Sequence, residues 1–207
     1  MRNLARRILV FSLFAICSAP AFGGTILFLG DSLTAGLGVQ PEQAYPALIE
    51  EKIREKNLPF EVINAGVSGD TTAGGLARLD WVLQKKIDVL VLALGANDGL
   101  RGLPVAQMKS NLQAIIDRVK AKNPAVKIVI AGMRVPPNLG GDYANAFQQV
   151  FAGLARANHA TLVPFLLEGV GGHIDLNQPD HIHPTAAGHK VVAENVWRVL
   201  EPLLRKD

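Results

Sequence analysis

The 207-residue chain contains one cysteine, Cys17. It falls inside an amino-terminal segment with the three-part layout of a secretory signal peptide: Arg2, Arg6 and Arg7, then apolar and small residues from Ile8 to Ile16, then Ala19-Pro20-Ala21. Cleavage is expected between Ala21 and Gly24, which assigns residues 1–23 to the leader and sends the mature protein to the periplasm or the exterior. A mature chain without thiol or disulfide must be held together by its core alone. Ile16 stands where a lipoprotein signal would want a small residue, and the residues around Arg6-Arg7 match twin-arginine export poorly, so ordinary secretion is favoured. The apolar run is shorter than the ~20 residues of a spanning helix, so no membrane anchor is expected after cleavage.

Charge of one sign is missing as well. The 21 basic residues include the three leader arginines, and their removal leaves 18 against 18 acidic residues. The mature chain has no basic block longer than a pair such as Lys85-Lys86, so nothing supports nucleic-acid binding. There is no GxxxxGK[ST] loop and no GxGxxG turn, which leaves phosphate and dinucleotide binding without sequence support. No HExxH spacing sets two histidines on one helix face. No low-complexity linker or internal repeat interrupts the mature chain, and its length suits a single domain, residues 24–207, expected to act as a monomer.

What is present is an alternation of short apolar runs with longer stretches of helical period. The strand candidates are 25–29, 60–64, 88–94, 127–131 and a weaker 161–163. Several are apolar on both faces, as in "VLVLAL", which suits a parallel sheet covered on both sides. Leu112, Ile115, Ile116 and Val119 have the spacing of a helix with one buried stripe, as do Val192, Val196, Val199, Leu200 and Leu203 in the last helix. Trp81 and Phe147 lie in stretches of helical period and are expected in the core. Repeated strand, loop and helix units imply an open, doubly wound α/β sandwich, whose ligand crevice lies beyond the carboxyl ends of the strands.

Four segments should reach that rim: "GDSL" at 30–33, "NAGVSGD" at 64–70, "GANDG" at 95–99 and "DHIHP" at 180–184. Taken singly, Ser32 reads as a helix cap, the glycines as turn residues and the Asn-Asp pair as cap chemistry. Taken together they supply what acyl transfer by a serine needs. Ser32 can be the nucleophile, His183 the base and Asp180 the carboxylate that fixes its tautomer. The amides of Ser32 and Gly66 and the side chain of Asn97 can donate to an oxyanion. Glycine at 66 would let the substrate oxygen come close, and a helix starting at Ser32 would add a favourable dipole. Asp31, Thr34, Asp70 and Asp98 read as turn, cap and network residues.

With these four blocks in order, the chain resembles the SGNH, or GDSL, hydrolases, whose motifs contribute Ser, Gly, Asn and His. "GDTTAGGLARL", "GANDGLRGLP" and "RVPPNLGGDYANAF" are similar to the exported acyl-CoA thioesterase, arylesterase and lysophospholipase branch of that family. The resemblance implies a flavodoxin-like three-layer α/β/α sandwich with a five-stranded parallel sheet, no metal and no organic cofactor. It also implies hydrolysis of small acyl esters or thioesters, and a loop over Met133, Arg134, Val135, Pro136, Pro137 and Asn138 that helps to bind the acyl chain. His181, between Asp180 and His183, is unusually bulky for its place.

Two rivals stand beside this reading. His173, Asp175, Asp180, His181 and His183 form a compact set of donors that could hold Zn²⁺ with an open position. A metal site leaves Ser32, Gly66 and Asn97 without a role. The other rival is a flavodoxin-like binding module that grips a ligand without chemistry, against which an intact Ser, His and Asp set argues.

Overall fold

The computed structural model describes residues 23–205. The expected signal peptide and Cys17 lie outside the described residues, Gly23 apart.

The run "GTILFLG" forms strand β1, Gly24–Gly30, with all seven residues buried. A strand that is apolar on both faces can sit only in the middle of a covered sheet. Its neighbours are β2, Phe60–Gly66, and β3, Val89–Ala93, which is also buried throughout. Outside β3 come β4, Lys127–Ala131, and β5, Thr161–Val163, giving the order β2-β1-β3-β4-β5 with every pair parallel. This is the flavodoxin-like order, in which the chain winds outward from β1 in one direction and then crosses to the other at β3. The edge strand β2 is only half-buried, and its extra length over the expected 60–64 makes Gly66 a strand residue paired with Gly30.

Helices cover both faces. On one face α2, Tyr45–Glu55, packs against α8, Ala186–Leu204. On the other are α3, Thr72–Ala77, α6, Val105–Lys122, and α7, Gly141–Asn158. The α6 stripe is buried as its spacing requires, at Leu112, Ile115, Ile116 and Val119. In α8 the buried face is Val192, Val196, Leu200 and Leu204 with Ala193 and Trp197, while Val199 and Leu203 lie half-buried at its margin. Three one-turn helices complete the set: α1, Ser32–Ala35, after β1, α4, Leu79–Val82, directly after α3, and α5, Ala96–Leu100, after β3.

Phe147 is fully buried and packs edge-on against Phe151. Trp81 is not in the core: it is 75% exposed. Its helix is a single turn anchored by Leu79, with Leu83 buried just beyond, and that phase directs residue 81 to solvent. No helix among the described residues is long and apolar enough to cross a membrane.

Candidate active site

The sheet order puts the carboxyl ends of β1 and β3 side by side at the point where the winding reverses, which is where such sheets form a crevice. Ser32 opens α1 directly after β1, and Asn97 lies in α5 directly after β3. The cap of α1 is Asp31, whose Oδ1 accepts from Leu33 N–H at 3.0 Å. Ser32 is therefore relieved of capping, and its Oγ lies 2.9 Å from His183 Nε2. With one turn in α1 there is no row of peptide dipoles to sum, so the dipole expected to aid an oxyanion reduces to local N–H groups.

His183 precedes α8 on a loop bound to itself. Asp180 Oδ2 is 2.6 Å from His183 Nδ1, while Asp180 Oδ1 accepts from the backbone N–H of Ile182 at 2.9 Å and of His183 at 3.0 Å. These bonds, led by the His183 amide and then the His183 ring, hold the Asp180 carboxyl well below the usual carboxylate range. An ionised carboxylate only accepts, so Nδ1 carries the ring proton and Nε2 offers its lone pair to the Ser32 hydroxyl. The loop is tied to the α1 side by Gln178, whose Nε2 donates to Leu37 O at 2.6 Å and to Pro184 O at 3.0 Å. His181 adopts φ +58°, a left-handed conformation uncommon for a bulky side chain, and faces the cavity.

Asn97 donates through Nδ2 to Asp70 O at 2.9 Å, which leaves the second N–H of that amide for another acceptor. Asp98 beside it is buried, and both its oxygens accept from Thr72, from N–H at 2.8 Å and from Oγ1 at 2.6 Å. Asn111 donates to that Oγ1 at 3.1 Å. Gly66 behaves differently from expectation. Its N–H donates to Asn64 Oδ1 at 2.9 Å, and a Cβ added there would meet the backbone of α1, 2.2 Å from Ala35 N. The glycine is required by the close packing of β2 on α1, not by an approaching substrate, and its amide is already engaged. Further along the same segment Gly69 takes φ +83°, would meet only Arg101 Nη2, at 3.8 Å, where a Cβ would stand, and uses its N–H on no group among the described residues. The motif "NAGVSGD" contains both glycines, and only the strand end at Gly66 tells them apart.

A cavity of about 640 Å³ opens at Ser32. Its lining includes Ser32, Asn97 and His183 together with Met133, Arg134, Val135 and Pro136 of the expected loop. Asn138 is exposed on a short 3₁₀ turn, Pro137–Leu139, and does not reach the cavity. Arg134 lies with its guanidinium 4.4 Å over the Phe165 ring. Leu100, Phe165, Leu167 and Ile182 complete the apolar wall and were not singled out by the sequence: Leu100 and Ile182 sit inside quoted motifs whose polar residues drew the reading, and Phe165 and Leu167 fall in a stretch with neither periodicity nor motif.

The rival metal set does not assemble. Both ring nitrogens of His183 are taken, by Ser32 and Asp180, and among the described residues no three His, Cys, Asp or Glu side chains converge as ligands.

Esterase TesA of Pseudomonas aeruginosa is 42% identical to this chain over 190 residues, which is 91% of this chain and 94% of that protein. Thioesterase 1/protease 1/lysophospholipase L1 of Escherichia coli is 37% identical, over 90% of this chain and 88% of its own length. Among solved structures, that of TesA superimposes with a TM-score of 0.82 at 42% identity, covering 86% of this chain and 99% of the other. The sequence profile of the GDSL-like Lipase/Acylhydrolase family matches residues 28–191, and with it the chain belongs to that family.

Proposed function

We propose that the protein is a serine hydrolase of carboxylic esters and thioesters that works through an acyl-enzyme. The observation that carries this reading is the continuous line Ser32 Oγ, His183 Nε2, His183 Nδ1, Asp180 Oδ2, with contacts of 2.9 and 2.6 Å, at the mouth of an apolar cavity. Its family and relatives named as an esterase and a thioesterase/lysophospholipase support it.

In the first half-reaction His183 Nε2 takes the Ser32 proton as Oγ bonds to the acyl carbon, and Asp180 stabilises the imidazolium. The tetrahedral oxyanion receives the Ser32 amide, the free N–H of Asn97, and the amide of Gly69 in place of the engaged Gly66 amide. Collapse breaks the bond to the alcohol or thiol, which leaves with the proton from Nε2. In the second half-reaction His183 deprotonates a water, the water attacks the acyl-serine, and the acid departs as Ser32 recovers its proton. Met133, Val135, Leu100 and Phe165 bury the acyl chain, and their apolar wall favours hydrophobic acyl groups.

The signal-peptide reading of residues 1–23 supports an exported enzyme. Acyl-CoA is a cytoplasmic metabolite, so esters and lysophospholipids outside the cytoplasm fit that location better than thioesters of coenzyme A. A fluorophosphonate probe is expected to label Ser32 in the folded protein and to leave Ser32→Ala unlabelled. Rates on graded aryl esters, thioesters and lysophospholipids should vanish with the same substitution and survive a chelator. Unlabelled folded wild type would favour a binding module.

A further inference from the structure

Arg78 stands in the joint between α3 and α4, outside the cavity, with 18% side-chain exposure. Its guanidinium spans three acceptors. Nε donates to Asp70 Oδ2 at 2.6 Å, and Nη2 donates to Ala65 O at 2.7 Å and to Gly30 O at 3.1 Å. Gly30 ends β1 two residues before Ser32, and Ala65 lies at the end of β2. Asp70 follows Gly69, and its carbonyl holds the Asn97 side chain.

The loop and α5 are already fastened to each other, by Asn97 on Asp70 O and by Asp98 on Thr72. What they need is a fixed position relative to the nucleophile's strand. Among the described residues, beyond the ladder that pairs β3 with β1 as far as Ala93, the polar ties to the Gly30 carbonyl at the end of β1 are the Val67 N–H at 3.1 Å and the Arg78 fork. The three acceptors are served from two separated nitrogens of one rigid plane, Nε for the Asp70 carboxylate and Nη2 for the two carbonyls, whereas lysine carries all its donors on a single atom and cannot occupy both positions at once.

We propose that Arg78, with Asp70 as its counter-ion, is a positioning residue for the oxyanion hole, holding Asn97 and Gly69 in register with Ser32. This rests on the serine-hydrolase reading above. Because Arg78 touches no part of the cavity, its loss acts on the transition state through Asn97 and Gly69 and leaves ground-state binding of the acyl chain alone.

The test is a double-mutant cycle on hydrolysis of p-nitrophenyl butyrate, with Arg78→Lys made in the wild type and in Asn97→Ala. Arg78→Lys alone is expected to lower kcat roughly 10- to 100-fold with KM within about twofold, as small misplacements of a preorganised site do. In the Asn97→Ala background, where one of the two donors it positions is gone, the same change should lower kcat several-fold less than in the wild type, the remainder being the share carried through Gly69. Equal losses in the two backgrounds, a rise in KM alone, or no change overturn the proposal. Should Arg78→Lys not fold, Asp70→Asn, which keeps an acceptor oxygen and removes the charge, is taken through the same cycle with the same split expected. Wild-type turnover that does not depend on Ser32 overturns the hydrolase reading and this one together. Ser32-dependent turnover with additive losses overturns this one alone.

Discussion

Ser32 owes its exposure to the hydrogen bonding of its neighbours. Asp31 takes the capping bond at the start of α1, so the serine hydroxyl has His183 as its partner and no competing local acceptor. Under the proposed mechanism Ser32 and His183 perform one proton transfer between them, and their losses should not add. Ser32→Ala and His183→Ala are each expected to reduce kcat by several orders of magnitude, and the double variant to fall little further. Steady-state kinetics on one aryl ester decides this, and a multiplicative double loss would refute a shared step. Asn97→Ala removes one oxyanion donor and should reduce kcat about 10²–10³-fold with the fold retained by circular dichroism. His181 is a different case. Its φ of +58° is relieved by glycine, so His181→Gly is expected to leave the melting temperature within a few degrees. An activity loss there would then report the side chain's place in the cavity wall.

At the scale of elements, the packing of β2 against α1 sets where the serine stands. Gly66 allows it, because a methyl group there would lie 2.2 Å from Ala35 N and 2.7 Å from the Thr34 carbonyl carbon, both backbone atoms that cannot swing away. Gly66→Ala must therefore displace α1 as a whole, which costs about 1–3 kcal/mol by analogy with overpacked cores and lowers the melting temperature by roughly 3–10 °C. Differential scanning calorimetry checks the first effect, and a parallel fall in kcat would mark the displaced serine. Three of the rim segments were legible in the sequence because each follows a strand run and the fourth because it precedes the periodic last helix, and β4 and β5 have the expected bounds. The exact end of β2 was not legible. "FEVINAG" loses its apolar alternation at Asn64, yet pairing with β1 carries the strand two residues further and draws Gly66 out of the loop. Trp81 escaped for a related reason. A helical period assigns a face only when the helix is long enough to have one, and α4 has a single turn. The apolar cavity wall was the least legible part, since Leu100 comes from the end of α5 and Phe165 and Ile182 from two separate loops, which only the folded sheet brings together.

For the whole molecule, two buried titratable groups set opposite limits on stability, and both adjoin the site. Asp31 is 1% exposed, and burial pushes its carboxyl up to about 6 against the Leu33 amide and the nearby His183, which pull it down. His189 is fully buried under Tyr45, and its Nδ1 accepts the Tyr45 N–H at 3.3 Å. Burial first, then His183, hold the His189 ring down near 4. The native state thus resists protonation of His189 between its ordinary 6.5 and about 4, while the unfolded chain accepts the proton. Stability should fall as pH drops through that window, by up to roughly 3 kcal/mol from this group. Asp31 has the reverse sign. Its native carboxyl keeps a proton that the unfolded chain has already lost, so stability declines as pH rises from about 4 to about 6 and stays reduced above. The two slopes partly cancel in the wild type and should separate in variants. Asp31→Asn keeps a side-chain oxygen for the Leu33 amide and removes the buried charge, so its melting temperature relative to wild type should improve with rising pH. His189→Gln keeps an acceptor for Tyr45 without a group that titrates, so its melting curve should lose the acid limb between pH 6.5 and 4. Thermal melts from pH 4 to 8 on the three proteins test both signs at once. Parallel pH profiles for all three would mean that neither buried group is linked to folding.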